Sequence, residues 1–347
     1  MITNDIIDLD IENVYLNSNI DWRNFENKVV YITGSTGVIG GFLIRCLLYA
    51  NQRSNLNIKV VAGVRNVEKA KMFFGTLADN IEFYVNDVND RIDYVGNVDY
   101  IIHAASNTAS ASFVEKPVET FKVAVHGTEN VLDFAREKNV KSVIYLSSME
   151  VYGNINEPKP LIESDLGSLN LTDARSSYPM GKRAAETLCY NYAKEYNLPV
   201  KVVRLAQVIG ANVDYHDTRV YAQFARSIVE RKDIILHTKA QAIRSSCYIT
   251  DVISGILITL LKGENGVCYN LASGYSSISE VANSLALKYP FVSVIYELQE
   301  NNNYPPDTHW ILDNSKLKSL GWDAKIPLDK MYQNLIESFL KQYESNK

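Results

Sequence analysis

"YITGSTGVIGG", residues 31–41, decides the fold. Gly34, Gly37 and Gly40 stand three apart in it. An apolar stretch, 28–32, leads in, and a helix-like run, 42–50, leads out. A strand, a glycine-rich turn and a helix together present backbone N–H groups and a helix N-terminus to an anion. Gly34 allows the tight turn, Gly37 lets a pyrophosphate approach the backbone, and Gly40 lets the helix pack closely on the strand. The turn and the start of its helix (Gly34, Thr36, Gly37, Val38, Ile39, Gly40) are therefore candidates for holding a dinucleotide.

Outward from the turn, strand-like runs at 29–33, 59–64, 81–85, 100–104, 142–147 and 200–205 alternate with helix-like runs, notably 118–137 and 178–196. The strand runs are short, β-branched and apolar at successive positions, as when both faces of a parallel sheet are covered. This alternation predicts an α/β fold, a Rossmann-type doubly wound parallel sheet spanning 27–205. After residue 205 the rhythm breaks into short strands (234–237, 268–271) and helices (222–230, 249–261, 279–288, 328–342). That portion, 206–347, reads mainly as a smaller substrate-binding lobe, with later segments free to return to the first domain. Residues 1–26 read as a helical extension on the outside, and the polar run 297–307 as a loop.

The bulk properties bound the function. At 347 residues, 46% hydrophobic and 22% charged, the chain can bury a sizeable core. A net charge of −5 does not indicate a nucleic-acid surface. The longest clean apolar run, 252–261, is too short to span a bilayer. The acidic N-terminus lacks the basic and apolar regions of a secretory signal. Cys46, Cys189, Cys247 and Cys268 lie far apart, with no metal-type pairing, and are expected to be reduced thiols of a cytoplasmic protein. His126, His216, His237 and His309 lack ligand spacing, so no metal is expected.

"KVVAGVRN", 59–66, places Val64 and Arg65 where NAD binders usually hold a carboxylate for the ribose 2′-hydroxyl. An arginine there can bind a 2′-phosphate, so NADP(H) is favoured and NAD possible. Asp87, followed by Val88, either accepts from the adenine amino group or caps a following helix. "SSYPMGKRAAE", 176–186, sets Tyr178 and Lys182 four apart on one helical face. A nearby ammonium favours tyrosinate, and the phenol can then exchange a proton with a carbinol oxygen during hydride transfer. "YLSSMEVYG", 145–153, ends a strand at the carboxyl edge of the sheet, where Ser148 can bond the same oxygen. If extended geometry persists, Glu150 points to the same side as Ser148.

Further motifs are "TGSTGVIG" (33–40), "HAAS" (103–106), "GTENVL" (127–132), "SSMEVYG" (147–153), "YPMGK" (178–182), "RLAQVIG" (204–210), "YITDV" (248–252) and "LGW" (320–322). Over about 28–325 the chain resembles an extended short-chain dehydrogenase/reductase of the nucleotide-sugar epimerase/dehydratase type. The resemblance implies Tyr178 as catalytic base, Lys182 as its partner and Ser148 as third member, with Ala104 and Ala105 along the cofactor's edge. It implies Asn107, Ser148, Gln207, Arg219 and Arg244 as substrate contacts, Arg244 at the nucleotide diphosphate. It also implies a homodimer through the helices at 118–137 and 178–196.

The departures from that pattern are informative. Dehydratases of the type carry an acid–acid pair where this chain has Met149–Glu150, so 4,6-dehydration is not expected. A single glutamate there resembles UDP-glucuronate decarboxylases, as does Arg219. Gln207 and Ala124 replace asparagines of the pattern. Two enzymatic expectations follow. The first is an NADPH-dependent reductase of a nucleotide-activated keto sugar, a CDP-ketose taken to a CDP-alditol for bacterial surface polysaccharides, motivated by Val64–Arg65. The second is a redox-neutral, NAD-dependent decarboxylase, epimerase or dehydratase of UDP-glucuronate decarboxylase kind, motivated by Glu150 and Arg219. The substrate is in either case a CDP-, UDP- or dTDP-linked sugar.

Overall fold

The computed structural model describes residues 5–155, 157–298 and 308–345. Residues 299–307 of the polar run therefore lie outside the described residues. Seven parallel strands form the main sheet: β1 (Val29–Thr33), β2 (Lys59–Val64), β3 (Ile81–Val85), β4 (Tyr100–His103), β5 (Ser142–Ser148), β6 (Val200–Leu205) and β7 (Cys268–Leu271). Their spatial order is β7-β6-β5-β4-β1-β2-β3. The direction of strand progression reverses between β1 and β4, which opens a crevice at the carboxyl edge.

Five helices matter below: α1 (Asp5–Asn17), α2 (Val38–Ser54), α3 (Pro117–Glu137), α4 (Ser177–Tyr196) and α5 (Ile249–Lys262). Alternate strand residues feed two separate cores, as the pleat requires. Tyr31, Ile101, Val143 and Tyr145 pack with Val131 of α3 and Ala185 of α4 on one face. Val30, Ile32, Ile102 and Ile144 pack with Phe42 of α2 and Ile256 of α5 on the other. Both faces are thus covered, and that is why the strand sequences are apolar without alternation.

One later segment returns to the first domain. The strand Cys268–Leu271 is the edge strand of the main sheet, with Tyr269 and Leu271 registered on Val203 and Leu205. Its side chains explain the move. Tyr269 and Leu271 are buried in the core, and α5 provides the crossover that brings them there. The fully buried Asn270 accepts from the Tyr152 hydroxyl and donates to the carbonyls of Leu161 and Asp313, tying the edge strand to the second sheet.

That second sheet runs Gly274–Ser277, Ile243–Tyr248, His309–Leu312 and Pro160–Leu161, with Gln207–Ile209 paired to Ile243–Tyr248. It draws strands from before and after residue 205. At the N-terminus, α1 packs against α2 and α5, burying Ile11 and Val14. Its Asp10 accepts a 2.6 Å hydrogen bond from the Tyr248 hydroxyl. Among the described residues no helix is long and apolar enough to cross a membrane.

Candidate active site

The glycine turn is shaped by close approach. Gly34 has φ +65°, and a Cβ there would lie 2.7 Å from the backbone of Ala104 and Ala105. A Cβ on Gly40 would lie 2.4 Å from the Gly34 carbonyl oxygen. Gly37 donates its N–H to that carbonyl at 3.0 Å and precedes α2 without a side-chain cap, which leaves the first N–H groups of the helix open to an anion. Thr36 is exposed, and Val38 and Ile39 are half-buried beside it. This cradle fits a dinucleotide pyrophosphate.

Two expected cofactor contacts, Arg65 and Asp87, lie just beyond the ends of β2 and β3. Arg65 is exposed at the end of β2, and the next residue, Asn66, caps the following helix through its side chain. No helix follows Asp87. Its carboxylate accepts from the backbone N–H and side-chain amide of Asn89 and so closes a turn, because the chain must bend back toward β4. Val88 packs on α3, where its carbonyl accepts from Asn130 and its side chain faces Gly127.

Behind Ala104 and Ala105 runs a buried chain of hydrogen bonds. The Ala105 N–H donates to Thr33 Oγ1, and Thr33 Oγ1 meets His103 Nδ1 at 2.7 Å. His103 Nε2 meets Thr128 Oγ1 at 3.3 Å, and that hydroxyl donates to the Ala124 carbonyl. Since the Thr128 proton is used on Ala124, the imidazole donates from Nε2 and accepts at Nδ1. Burial, and then the Lys182 charge, push His103 down to about 3, so it stays neutral. His103 is a strut beneath the backbone of Ala104 and Ala105.

Tyr178 begins α4 and is 7% exposed, its ring stacked on Phe113 at 4.2 Å and 6°. Lys182, one turn on, is 2% exposed and donates to the Leu146 carbonyl at 2.8 Å. Burial lowers Lys182 to about 8, opposed by the Glu186 carboxylate. The expected drift of Tyr178 toward tyrosinate is reversed: burial, and then the Glu150 charge, raise its phenol, against lowering by the Ser148 and Ser106 hydroxyls and by Arg219. Lys182 Nζ lies 5.8 Å from the Tyr178 ring centre, and desolvation prevails at that range.

The expected alternation at Ser148, Met149 and Glu150 also fails. Ser148 caps a 3₁₀ turn, Met149–Tyr152, by accepting from the Glu150 N–H at 3.2 Å. The strand ends because a serine at its last position offers that capping bond. Glu150 nevertheless stays near Tyr178, held by Arg175 at 2.7 Å. Arg219 is held by Asp217 at 2.5 Å and lies close enough to act electrostatically on Tyr178. The structure therefore gathers Tyr178, Ser148, Glu150, Lys182 and Arg219.

Gln207 and Arg244 line a small cavity with Val220, Ser246, Ser276 and Tyr332. The Arg244 guanidinium lies over the Trp310 ring at 4.1 Å and donates to the Thr308 carbonyl. Asn107 is placed against α3, its amide 3.5 Å from Thr120 Oγ1.

Sequence reasoning passed over Arg175, Phe113 and Ser106, and also Glu186 with Arg204. Glu186 accepts from Ser147 and pairs with Arg204 at 2.7 Å; that arginine is 4% exposed. The four-residue spacing from Lys182 to Glu186 was the available signal.

Comparison with known proteins gives the fold and the family. UDP-glucuronic acid decarboxylase 3 of Arabidopsis thaliana is 27% identical over 317 residues, 90% of this chain and 89% of the relative. A UDP-glucose 4-epimerase of Thermotoga maritima, solved with UDP-glucose, matches at a TM-score of 0.78 and 22% identity, covering 91% of this chain and 99% of that one. DesIV, a dTDP-glucose 4,6-dehydratase of Streptomyces venezuelae solved with NAD and TYD bound, matches at a TM-score of 0.74 and 20% identity over 92% and 97%. The family model described as "NAD dependent epimerase/dehydratase family" matches residues 30–272, and the chain belongs to that family.

Proposed function

We propose that the chain is a redox-neutral nucleotide-sugar lyase that decarboxylates a UDP-linked uronic acid with a recycled NAD⁺. The observation that carries this reading is the carboxylate of Glu150, fixed by Arg175 beside Tyr178 and Ser148, with Met149 where a dehydratase would need a second acid. The decarboxylase relative, alignable along nearly its whole length, supports the same reading. The reductase expectation rested on Val64–Arg65, and the related fold solved with NAD lends no support to a preference for NADP. In a redox-neutral cycle the cofactor ends as it began, so there is nothing to gain from drawing on an NADPH pool.

Gly34, Gly37, the α2 N-terminus, Ala104, Ala105 and Lys182 are the residues that would hold the dinucleotide, which supplies reversible hydride acceptance. Tyr178 takes the proton from the sugar's carbinol oxygen and later returns one to it, with Ser148 bonded to the same oxygen. The Lys182 ammonium offsets the phenolate charge that develops. Once that carbon is a carbonyl, a carboxylate on the neighbouring carbon leaves as CO₂, its bonding pair passing into the carbonyl. A proton then replaces the CO₂. Glu150 orients the sugar for this step. Gln207 and Arg244 would hold the nucleotide diphosphate. We further place the protein in the cytoplasm as a homodimer, paired through the outer faces of α3 and α4, where Val118, Phe121 and Tyr190 are exposed.

The test is a substrate panel followed by mass spectrometry, with UDP-glucuronate, UDP-glucose, dTDP-glucose and a CDP-linked keto sugar. Conversion of UDP-glucuronate to a UDP-pentose is expected. Turnover of the CDP-linked keto sugar alone, with NADPH consumed, would reinstate the reductase.

A further inference from the structure

Arg175 lies three residues ahead of Tyr178, in a short 3₁₀ turn, and its side chain does nothing for that turn. The turn is held by Asp173, whose carboxylate accepts from the Arg175 N–H at 2.9 Å and whose carbonyl accepts from the Ser176 N–H at 2.9 Å. The guanidinium points elsewhere. Its Nη1 donates to Glu150 Oε2 at 2.7 Å, its Nη2 reaches Oε1 at 3.5 Å, and its Cζ stands 5.7 Å from the centre of the Phe113 ring. Phe113 in turn lies flat on Tyr178. Both contacts of one half-buried cation thus end on groups that touch the reaction centre, the carboxylate directly and the phenol through one ring.

We propose that Arg175 is a positioning residue: it fixes Glu150 toward the sugar and, by pressing Phe113 on Tyr178, sets the angle of the phenol. The proposal rests on the reading above, in which Glu150 and Tyr178 act on the sugar. A fork-shaped cation suits this role because two donors on one carboxylate fix its plane, which a lysine's single ammonium cannot do. Arg175 also compensates charge. The groups facing Tyr178 are Glu150, which raises its phenol, and Ser148, Ser106 and Arg219, which lower it, with Lys182 beneath the ring. Without Arg175 the Glu150 carboxylate loses the cation paired with it at 2.7 Å, and its charge acts more strongly on the phenol.

The experiment compares Arg175→Gln, Arg175→Lys, Glu150→Gln and the double variant Glu150→Gln/Arg175→Gln, on full-length protein with NAD⁺ and UDP-glucuronate. Steady-state rates are measured across pH, beside NAD⁺ affinity and thermal midpoint. Arg175→Gln is expected to lower kcat about 10–100-fold, as misplacement of a catalytic group does, with NAD⁺ affinity unchanged. Its basic apparent pKa should move upward by about half a unit to one unit, and the double variant should move it back. Arg175→Lys should recover only part of kcat. If Arg175→Gln keeps wild-type kcat and pH profile while Glu150→Gln is impaired, the positioning role is wrong and the reading of Glu150 stands. If Glu150→Gln is itself unimpaired, that reading falls, and the role of Arg175 with it.

Discussion

Tyr178 carries the largest burden placed on any single atom here. Its phenol is buried, raised by burial and by Glu150, and surrounded by hydroxyls and cations able to stabilise its anion when proton transfer demands it. Removing the oxygen removes the proposed acid–base group and leaves the ring to stack on Phe113. Tyr178→Phe should therefore lower kcat by about 10²–10⁴-fold. The thermal midpoint and NAD⁺ affinity should change little. A folded Tyr178→Phe protein that keeps wild-type turnover would remove Tyr178 from the chemistry. At this scale the sequence was most readable where spacing is local. Tyr178 and Lys182 are one helical turn apart, and Ser148 ends a strand whose apolar run is plain. Arg175 was not readable: its partner lies 25 residues upstream and the turn that carries it has no periodicity. The sign of the Tyr178 shift was missed because burial is a property of the assembled fold.

Two elements carry tests of their own. The β1–α2 turn depends on Gly34, whose positive φ and contact with the Ala104 backbone both exclude a side chain. Gly34→Ala should cost about 2–4 kcal/mol of stability from strain and overpacking together, and NAD⁺ binding should weaken with it. Chemical denaturation beside an NAD⁺ titration measures both. The docking of α1 should depend on pH. Burial raises Asp10 to about 7, against the Tyr248 hydrogen bond, and raises Asp251 to about 6. A raised carboxylate binds more protons folded than unfolded between about pH 4 and its folded pKa. Stability contributed by its protonated form is therefore present at low pH and lost as pH rises from about 4 to about 7. Asp10→Asn keeps a polar group for Tyr248 without the buried charge. It should raise stability at pH 8 by on the order of 1–3 kcal/mol and flatten the fall between pH 5 and pH 8. Melting curves at both pH values check this, and an unchanged slope would put the pH sensitivity elsewhere. Here the sequence gives only half of what the structure shows. A helix before the first strand was legible, but its buried carboxylate was not, because Tyr248 lies 238 residues away.

In the whole molecule, the parallel sheet was legible because most of its strands are apolar on both faces, and the glycine turn marked the junction of β1 and α2. The sheet that Cys268–Leu271 joins was left open for a physical reason. Three apolar residues around Asn270 state that the segment is buried, not against which sheet, and the pairing with β6 is settled by long-range packing around α5 and Asn270. The second sheet takes residues 160–161 from the first half of the chain. It brings Gln207 and Arg244 together at one small cavity, whose lining includes Val220, the neighbour of Arg219. The central claim is that the sugar is decarboxylated without net redox change and that Glu150 acts in it. The most direct measurement follows CO₂ release from UDP-glucuronate and dinucleotide absorbance at the same time, in wild type and Glu150→Gln. The account predicts many turnovers of CO₂ with no net change in reduced dinucleotide, and loss of that release in Glu150→Gln. Dinucleotide oxidised in step with a keto sugar consumed, undiminished in Glu150→Gln, would contradict it.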